Sequence, residues 1–171
     1  ETLPILGKQG LSPDWQGEHP MLCIAGRSLI DEAAATMLAQ LSTTHGLAAR
    51  VEGAEALSMT NVVRLDPVGV AVACLIYVGS SGDAHMRYAV RRLRRRLPRA
   101  TILLICCSGE ADQTSLKSAQ ESSKADLVAG SIGEAVKLCV EAAQPTAQHA
   151  PSPADRVEPS LVLGSGSVLA T

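Results

Sequence analysis

Residues 68–78, VGVAVACLIYV, and residues 101–107, TILLICC, decide the fold. Both runs are apolar almost without interruption. A strand with one wet face alternates polar and apolar residues, whereas a strand covered on both faces has no reason to. The two runs therefore read as interior strands of a parallel sheet. Each ends in small residues: Gly79-Ser80-Ser81-Gly82 after the first, Ser108-Gly109 after the second. Working outward, Met21 to Ala25, Leu47 to Val51 and Asp126 to Ala129 read as three further strands. Between them, apolar residues recur at helical spacing. Ile30, Ala34, Met37, Leu38 and Leu41 follow a Ser28/Asp31 cap signature and stop at His45-Gly46. Ala54 to Leu65 predicts a weaker helix. Asp83 opens one that Pro98 ends. Ala111 to Lys124 is polar, and Ile132 to Ala143 turns Ala135, Val136, Cys139 and Val140 inward.

A strand-helix unit repeated five times implies an α/β, three-layer, doubly wound parallel sheet of five strands. The flavodoxin-like order 2-1-3-4-5 is the expected topology. The domain is expected over residues 19–144. Pro4, Gly7, Gly10, Pro13 and Gly17 mark residues 1–18 as a linker, with Trp15 a candidate to pin it. Residues 145–171, rich in Pro, Ala, Ser and Gly, read as a disordered tail.

Composition narrows the function classes. The chain has 171 residues, 46% hydrophobic and 19% charged, and no Phe. Its core must be aliphatic, and wholesale disorder is excluded. No apolar run approaches the roughly 20 residues that span a bilayer. A formal net charge of -2 excludes a generally basic nucleic-acid binder. The chain opens on Glu1 and reads as a fragment or processed product. Cys23, Cys74, Cys106, Cys107 and Cys139 fall in strand-like or helix-like runs, which suits reduced core thiols better than a disulfide framework. Cys106 and Cys107, adjacent on a strand, face opposite sides.

In an open parallel sheet, ligands lie beyond the carboxyl ends of the strands. Those ends carry Arg27, Ser28, Ser80, Ser81 and Ser108, a candidate small-ligand or phosphate pocket built on helix N-termini. The alternative is that tight turns use Gly and Ser for backbone reasons alone. No GxGxxG, Walker A or GxSxG pattern follows a strand. His19, His45, His85 and His149 lack metal-ligand spacing, and no metal site is expected. The acids a phosphorelay receiver needs after strands one and three are replaced by Gly26-Arg27 and Gly79-Ser80. No catalytic residue is legible, so the expectation is a protein that is not an enzyme.

The sharpest local feature is the helix after strand three. Arg87, Arg91, Arg92, Arg94, Arg95 and Arg96 lie within ten residues, with Arg99 beyond. Met86, Ala89, Val90, Leu93 and Leu97 form its apolar stripe. Such a density of like charge repels itself unless acids or an anionic partner offset it. Glu110, Asp112 and Glu121 are candidate neighbours. A membrane or an acidic partner face is the alternative, and a solvated helix the bland one.

MLCIAGRSLIDEAAATMLAQLSTTHGLAARV, with VACLIYVGSSGDAHMRYAVRRLRRRLPRATILLIC, resembles the C-terminal domain of bacterial predicted permeases of the autoinducer-2 exporter family. The resemblance covers roughly residues 20 to 143 and implies a cobalamin-binding-like α/β fold appended to multi-pass membrane segments. It implies a non-catalytic regulatory or assembly domain at the cytoplasmic face of the bacterial inner membrane. The partners it implies are its own membrane segments or an anionic lipid surface. Base-off cobalamin binders carry Asp-x-His-x-x-Gly after strand one. Here Gly26-Arg27-Ser28-Leu29-Ile30-Asp31 offers no His, so no cofactor is expected. A stand-alone small-ligand module using the strand-end pocket is the second reading. Strands two and five leave edges on which copies of the chain could pair to form a homo-oligomer.

Overall fold

The computed structural model describes residues 2–79, 82–109 and 112–145. Five parallel strands, β1 (Met21–Ala25), β2 (Ala49–Glu52), β3 (Val72–Val78), β4 (Thr101–Cys107) and β5 (Leu127–Ala129), lie in the order β2-β1-β3-β4-β5. This is the flavodoxin-like order read from the strand-helix alternation. β3 and β4 sit at the centre, with Cys74 beside Leu103 and Leu75 beside Leu104. Both faces are covered. Met21, Cys23, Cys74, Ile76, Leu103 and Ile105 point to the layer of helices α1 (Leu29–Thr44) and α4 (Ile132–Ala143). Their neighbours Leu22, Ile24, Leu75, Tyr77, Ile102 and Leu104 point to α2 (Asp83–Arg96) and α3 (Gln113–Ser123). The period of two is intact, but each face is apolar, which is why the sequence shows no alternation. Each fully buried Leu or Ile contributes about 1.5–3 kcal/mol relative to exposure.

Several expectations need correction. The third strand begins at Val72 rather than Val68, and Val68 is exposed. Ala54 to Leu65 does not form a helix. It makes two separate one-turn 3-10 segments, Ala54–Leu57 and Val62–Arg64. Ser58 is extended between them, and its Oγ accepts from the Asn61 amide at 3.2 Å. The Asn61 side chain donates to the Glu55 carbonyl at 3.2 Å. These local side-chain bonds compete with the helical ladder, and β-branched Val62 and Val63 add little propensity to resist them. In α1 the inward face keeps Ala34 and Leu38 but not the other, large apolar residues. Ala34, Ala35, Leu38 and Ala39 are buried, whereas Ile30, Met37 and Leu41 are exposed. Small alanines allow α1 to approach the sheet and α4 closely. Finally, Asp83 is the first residue of α2 rather than its cap: Gly82 holds the cap position and offers no side-chain bond.

The stretch 1–18, read as a linker, packs along the domain where it is described. Trp15 and Leu11 are buried against the α4 layer, and the Ser12 amide donates to the Ala143 carbonyl at 2.8 Å. The Leu6 amide donates to the His45 carbonyl at 2.9 Å. Gly46, at φ +85°, brings its backbone against Leu6 where a Cβ would collide. Residues 146–171, the rest of the tail, lie outside the described residues.

Candidate functional site

The carboxyl ends of β1 and β3 diverge at the switch point of the sheet, the place where such folds bind ligands. Here a side chain of the chain itself occupies it. Asp31, in the first turn of α1, is buried. Its Oδ2 accepts from the Arg27 amide at 2.8 Å and the Ser28 amide at 3.0 Å. Its Oδ1 accepts from the Val78 amide at 2.7 Å, across the switch point. The Ser28 Oγ completes a capping box by accepting from the Asp31 amide at 3.2 Å. The amides of Arg27 and Ser28 that the sequence offers to an anion are therefore held by a carboxylate. At β5 the same arrangement recurs on a smaller scale: Glu134 accepts from the Gly130 amide at 2.8 Å, and Ser131 Oγ accepts from the Glu134 amide at 3.1 Å. Arg27 and Ser28 are exposed, and Ser108 is half-buried at the end of β4. Ser80 and Ser81 lie outside the described residues.

Beside Asp31, Gly26 and Tyr77 pack ring against backbone. A Cβ on Gly26 would enter the Tyr77 ring and approach the Ile76 carbonyl to 2.9 Å. The Tyr77 ring meets the His85 ring edge-on at 5.8 Å. Its hydroxyl is buried and finds no partner among the described residues. Burial, then the Asp31 charge, pushes the phenol pKa up, so it remains a proton donor at all physiological pH. A shallow cleft of about 280 Å³ lies next to it, lined by Gly26, Leu57, Ser58, His85, Tyr88 and Arg92. Sequence reasoning missed Tyr77 and treated His85 as one of four histidines without metal-ligand spacing.

Reactive chemistry is weak here. Cys106 and Cys107 face opposite layers, as the strand geometry requires. Burial, with Cys107 and Asp83 adding smaller effects, pushes the Cys106 thiol up to about 11, so it is no thiolate nucleophile at neutral pH. Cys74 Sγ lies 3.9 Å from Cys139 Sγ, and contact with Cys139 and Cys23 together with burial holds the Cys74 thiol well above its ordinary range. All five cysteines are free. Among the described residues no group of three His, Cys, Asp or Glu side chains is placed to hold a metal.

The arginine helix divides into two populations. Arg92, Arg94 and Arg96 are half-buried and bonded inward. Arg92 Nη1 donates to the Leu57 carbonyl at 2.7 Å, and Arg96 Nε to the Leu65 carbonyl at 2.7 Å. These two guanidiniums staple the 54–65 segment at the Leu57 and Leu65 carbonyls, which accept no backbone hydrogen bond among the described residues. Arg94 pairs with Asp126 at 2.7 Å and donates to the Ala100 carbonyl at 3.4 Å. The acid paired with Arg94 is thus Asp126. Glu121 lines a cleft with Arg87, Arg91 and Arg94 without an ion pair to them among the described residues, and Glu110 lies outside the described residues. Arg87, Arg91, Arg95 and Arg99 are exposed and make no hydrogen bond or ion pair among the described residues. Replacing Arg92 and Arg96 together by Ala should leave the sheet folded but free residues 54–65. Each charged hydrogen bond is worth about 1.5–3 kcal/mol, so limited proteolysis should cut within 54–65 at least tenfold faster. An unchanged cleavage rate would show that the staples do not hold the segment.

A further concavity lies at the opposite end of the sheet. A groove of about 720 Å³ under the amino ends of β3 and β4 is lined by Trp15, Gly69, Arg99, Thr101 and Gln144, among others. It faces away from the strand-carboxyl end where helix N-termini gather.

No protein-family model and no curated protein matches the chain. Solved structures similar to it include the following two. A cobalamin-binding protein from Desulfitobacterium hafniense matches with a TM-score of 0.56 at 12% identity, over 72% of this chain and 58% of that chain. A putative pilus assembly-related protein from Burkholderia pseudomallei matches with a TM-score of 0.49 at 16% identity, over 76% of this chain and 95% of that chain. The fold is cobalamin-binding-like. The chain spans less than two thirds of the cobalamin-binding protein it matches.

Within that cobalamin-binding-like frame, the residues after β1 do not suit cobalamin. Base-off ligation needs a His there, and positions 26–31 have none. The loop amides are already bonded to Asp31. No helix of the described residues is long and apolar enough to cross a membrane.

Proposed function

We propose that this chain is a non-catalytic regulatory or assembly domain of a multi-pass membrane permease, working at the cytoplasmic face of the bacterial inner membrane. Its cobalamin-binding-like crevice has become a structural joint, and its arginine side faces its own membrane segments or anionic lipid. The observation that supports this most is the Asp31 bridge: the anion-binding amides serve the fold, while four arginines on α2 and just beyond it make no hydrogen bond or ion pair among the described residues. The test uses the full-length gene product. It should fractionate with membranes, and deletion of residues 19–144 should change its transport rate several-fold while leaving it membrane-bound. Recovery of the full-length product away from membranes would overturn the reading.

A small-ligand module is the second reading, supported by the 280 Å³ cleft that Gly26, His85 and Arg92 line near the end of β1. Hydroxocobalamin should leave the melting temperature unchanged. Binding at 100 times the dissociation constant would add about 2.7 kcal/mol, and a shift of that size would favour this second reading.

A further inference from the structure

Arg95 stands at the crest of α2. On one flank, Arg92 and Arg96 staple the 54–65 segment, and that segment carries Met59, Val62 and Val63 into a cleft of about 290 Å³ beside the three guanidiniums. Met59 is 79% exposed, Val63 64% and Tyr88, on α2 itself, 56%. On the other flank Arg87 and Arg91 line a second cleft with Glu121 and Lys124. Cationic and apolar side chains are therefore presented side by side on one surface.

We infer that this surface binds an anionic phospholipid bilayer, with Arg91 and Arg95 on headgroup phosphates and Met59, Val63 and Tyr88 at the acyl boundary. Charge complementarity alone would suit any polyanion. The apolar companions distinguish a bilayer, because a nucleic acid would leave Met59 and Val63 in water, whereas the headgroup-acyl boundary covers them. Tyr88 fits the same boundary, with an apolar ring and a polar tip. The net charge of -2 means that the attraction is local to this face. The exposed apolar residues of α1, Ile30, Met37 and Leu41, lie on the other layer, on a helix that itself carries no Lys or Arg.

This inference specifies the docking side named in the permease reading, yet binding to vesicles requires no permease. The two can therefore fail separately. The 171-residue chain is sedimented with vesicles of phosphatidylcholine containing about 30% phosphatidylglycerol, and with pure phosphatidylcholine, at about 0.1 M salt. Wild type should bind the anionic vesicles and not the neutral ones. Arg91→Gln with Arg95→Gln should weaken binding about 30-fold, roughly fivefold per guanidinium. Met59→Ser with Val63→Ser should weaken it several-fold without altering the melting temperature, since both side chains are exposed. Absence of wild-type binding would overturn the inference. So would vesicle binding indifferent to Met59 and Val63 combined with equally tight, arginine-dependent binding of duplex DNA, which would assign the face to nucleic acid.

Discussion

Asp31→Ala should cost about 4 kcal/mol of folding stability. The buried carboxylate satisfies three backbone amides, those of Arg27, Ser28 and Val78, in part-buried hydrogen bonds. Truncation leaves those donors short of partners, at about 1–3 kcal/mol for each buried group left unpaired. It also removes the acid from the first turn of α1 and half of the capping box. For a chain of this size the melting temperature should fall by roughly 10 °C. Asp31→Asn is the informative companion. It keeps the shape and one acceptor but turns an NH2 group toward at least one amide, so the loss should be intermediate. Urea denaturation gives both values. A loss below about 1 kcal/mol for Asp31→Ala would mean that the bridge to Val78 is not formed in solution. The whole account of a crevice turned into a joint would then fall.

The second large effect concerns Gly26→Ala. A single methyl group would overlap the Tyr77 ring and press on the Ile76 carbonyl, which is backbone and cannot move aside. Tyr77 is only 1% exposed, so its ring has no room to retreat. Overpacking of this kind costs about 3 kcal/mol. The control is the same substitution in a Tyr77→Leu background. If the clash with the ring is the cause, the two changes should be strongly non-additive, because residues in contact couple and distant ones do not. Additive losses would show that Gly26 is needed for some reason other than the ring.

How far the candidate site was legible follows from the range of the interactions that make it. The Ser28/Asp31 cap is a pattern within four residues, and it is readable as such. That the same carboxylate reaches the Val78 amide, 47 positions away, is not. Nothing local to Val78 announces an acceptor. The arginine cluster is likewise plain as a count, yet its division into staples and free cations depends on which carbonyls lack helical partners. That depends on whether 54–65 becomes a helix, and Ser58 and Asn61 tip the balance by bonds worth about 1 kcal/mol each. Propensity sums do not resolve differences of that size.

Continuous apolar runs at 68–78 and 101–107, separated by helical spacing and glycine-serine turns, are enough to require a covered parallel sheet, because hydrophobic periodicity is local and the burial it reports is large. Connectivity and handedness then leave a handful of strand orders, of which 2-1-3-4-5 is the flavodoxin-like one. Part of the inward face of α1 escapes such reasoning: the contact distance to the sheet selects alanines over Ile30 and Met37, and that distance exists only after α1 and α4 pack together. The same holds for the strand-end amides. Their number and kind are written in the turns, but whether they remain open to a ligand is settled by a carboxylate and an amide that meet only when β1 and β3 lie side by side.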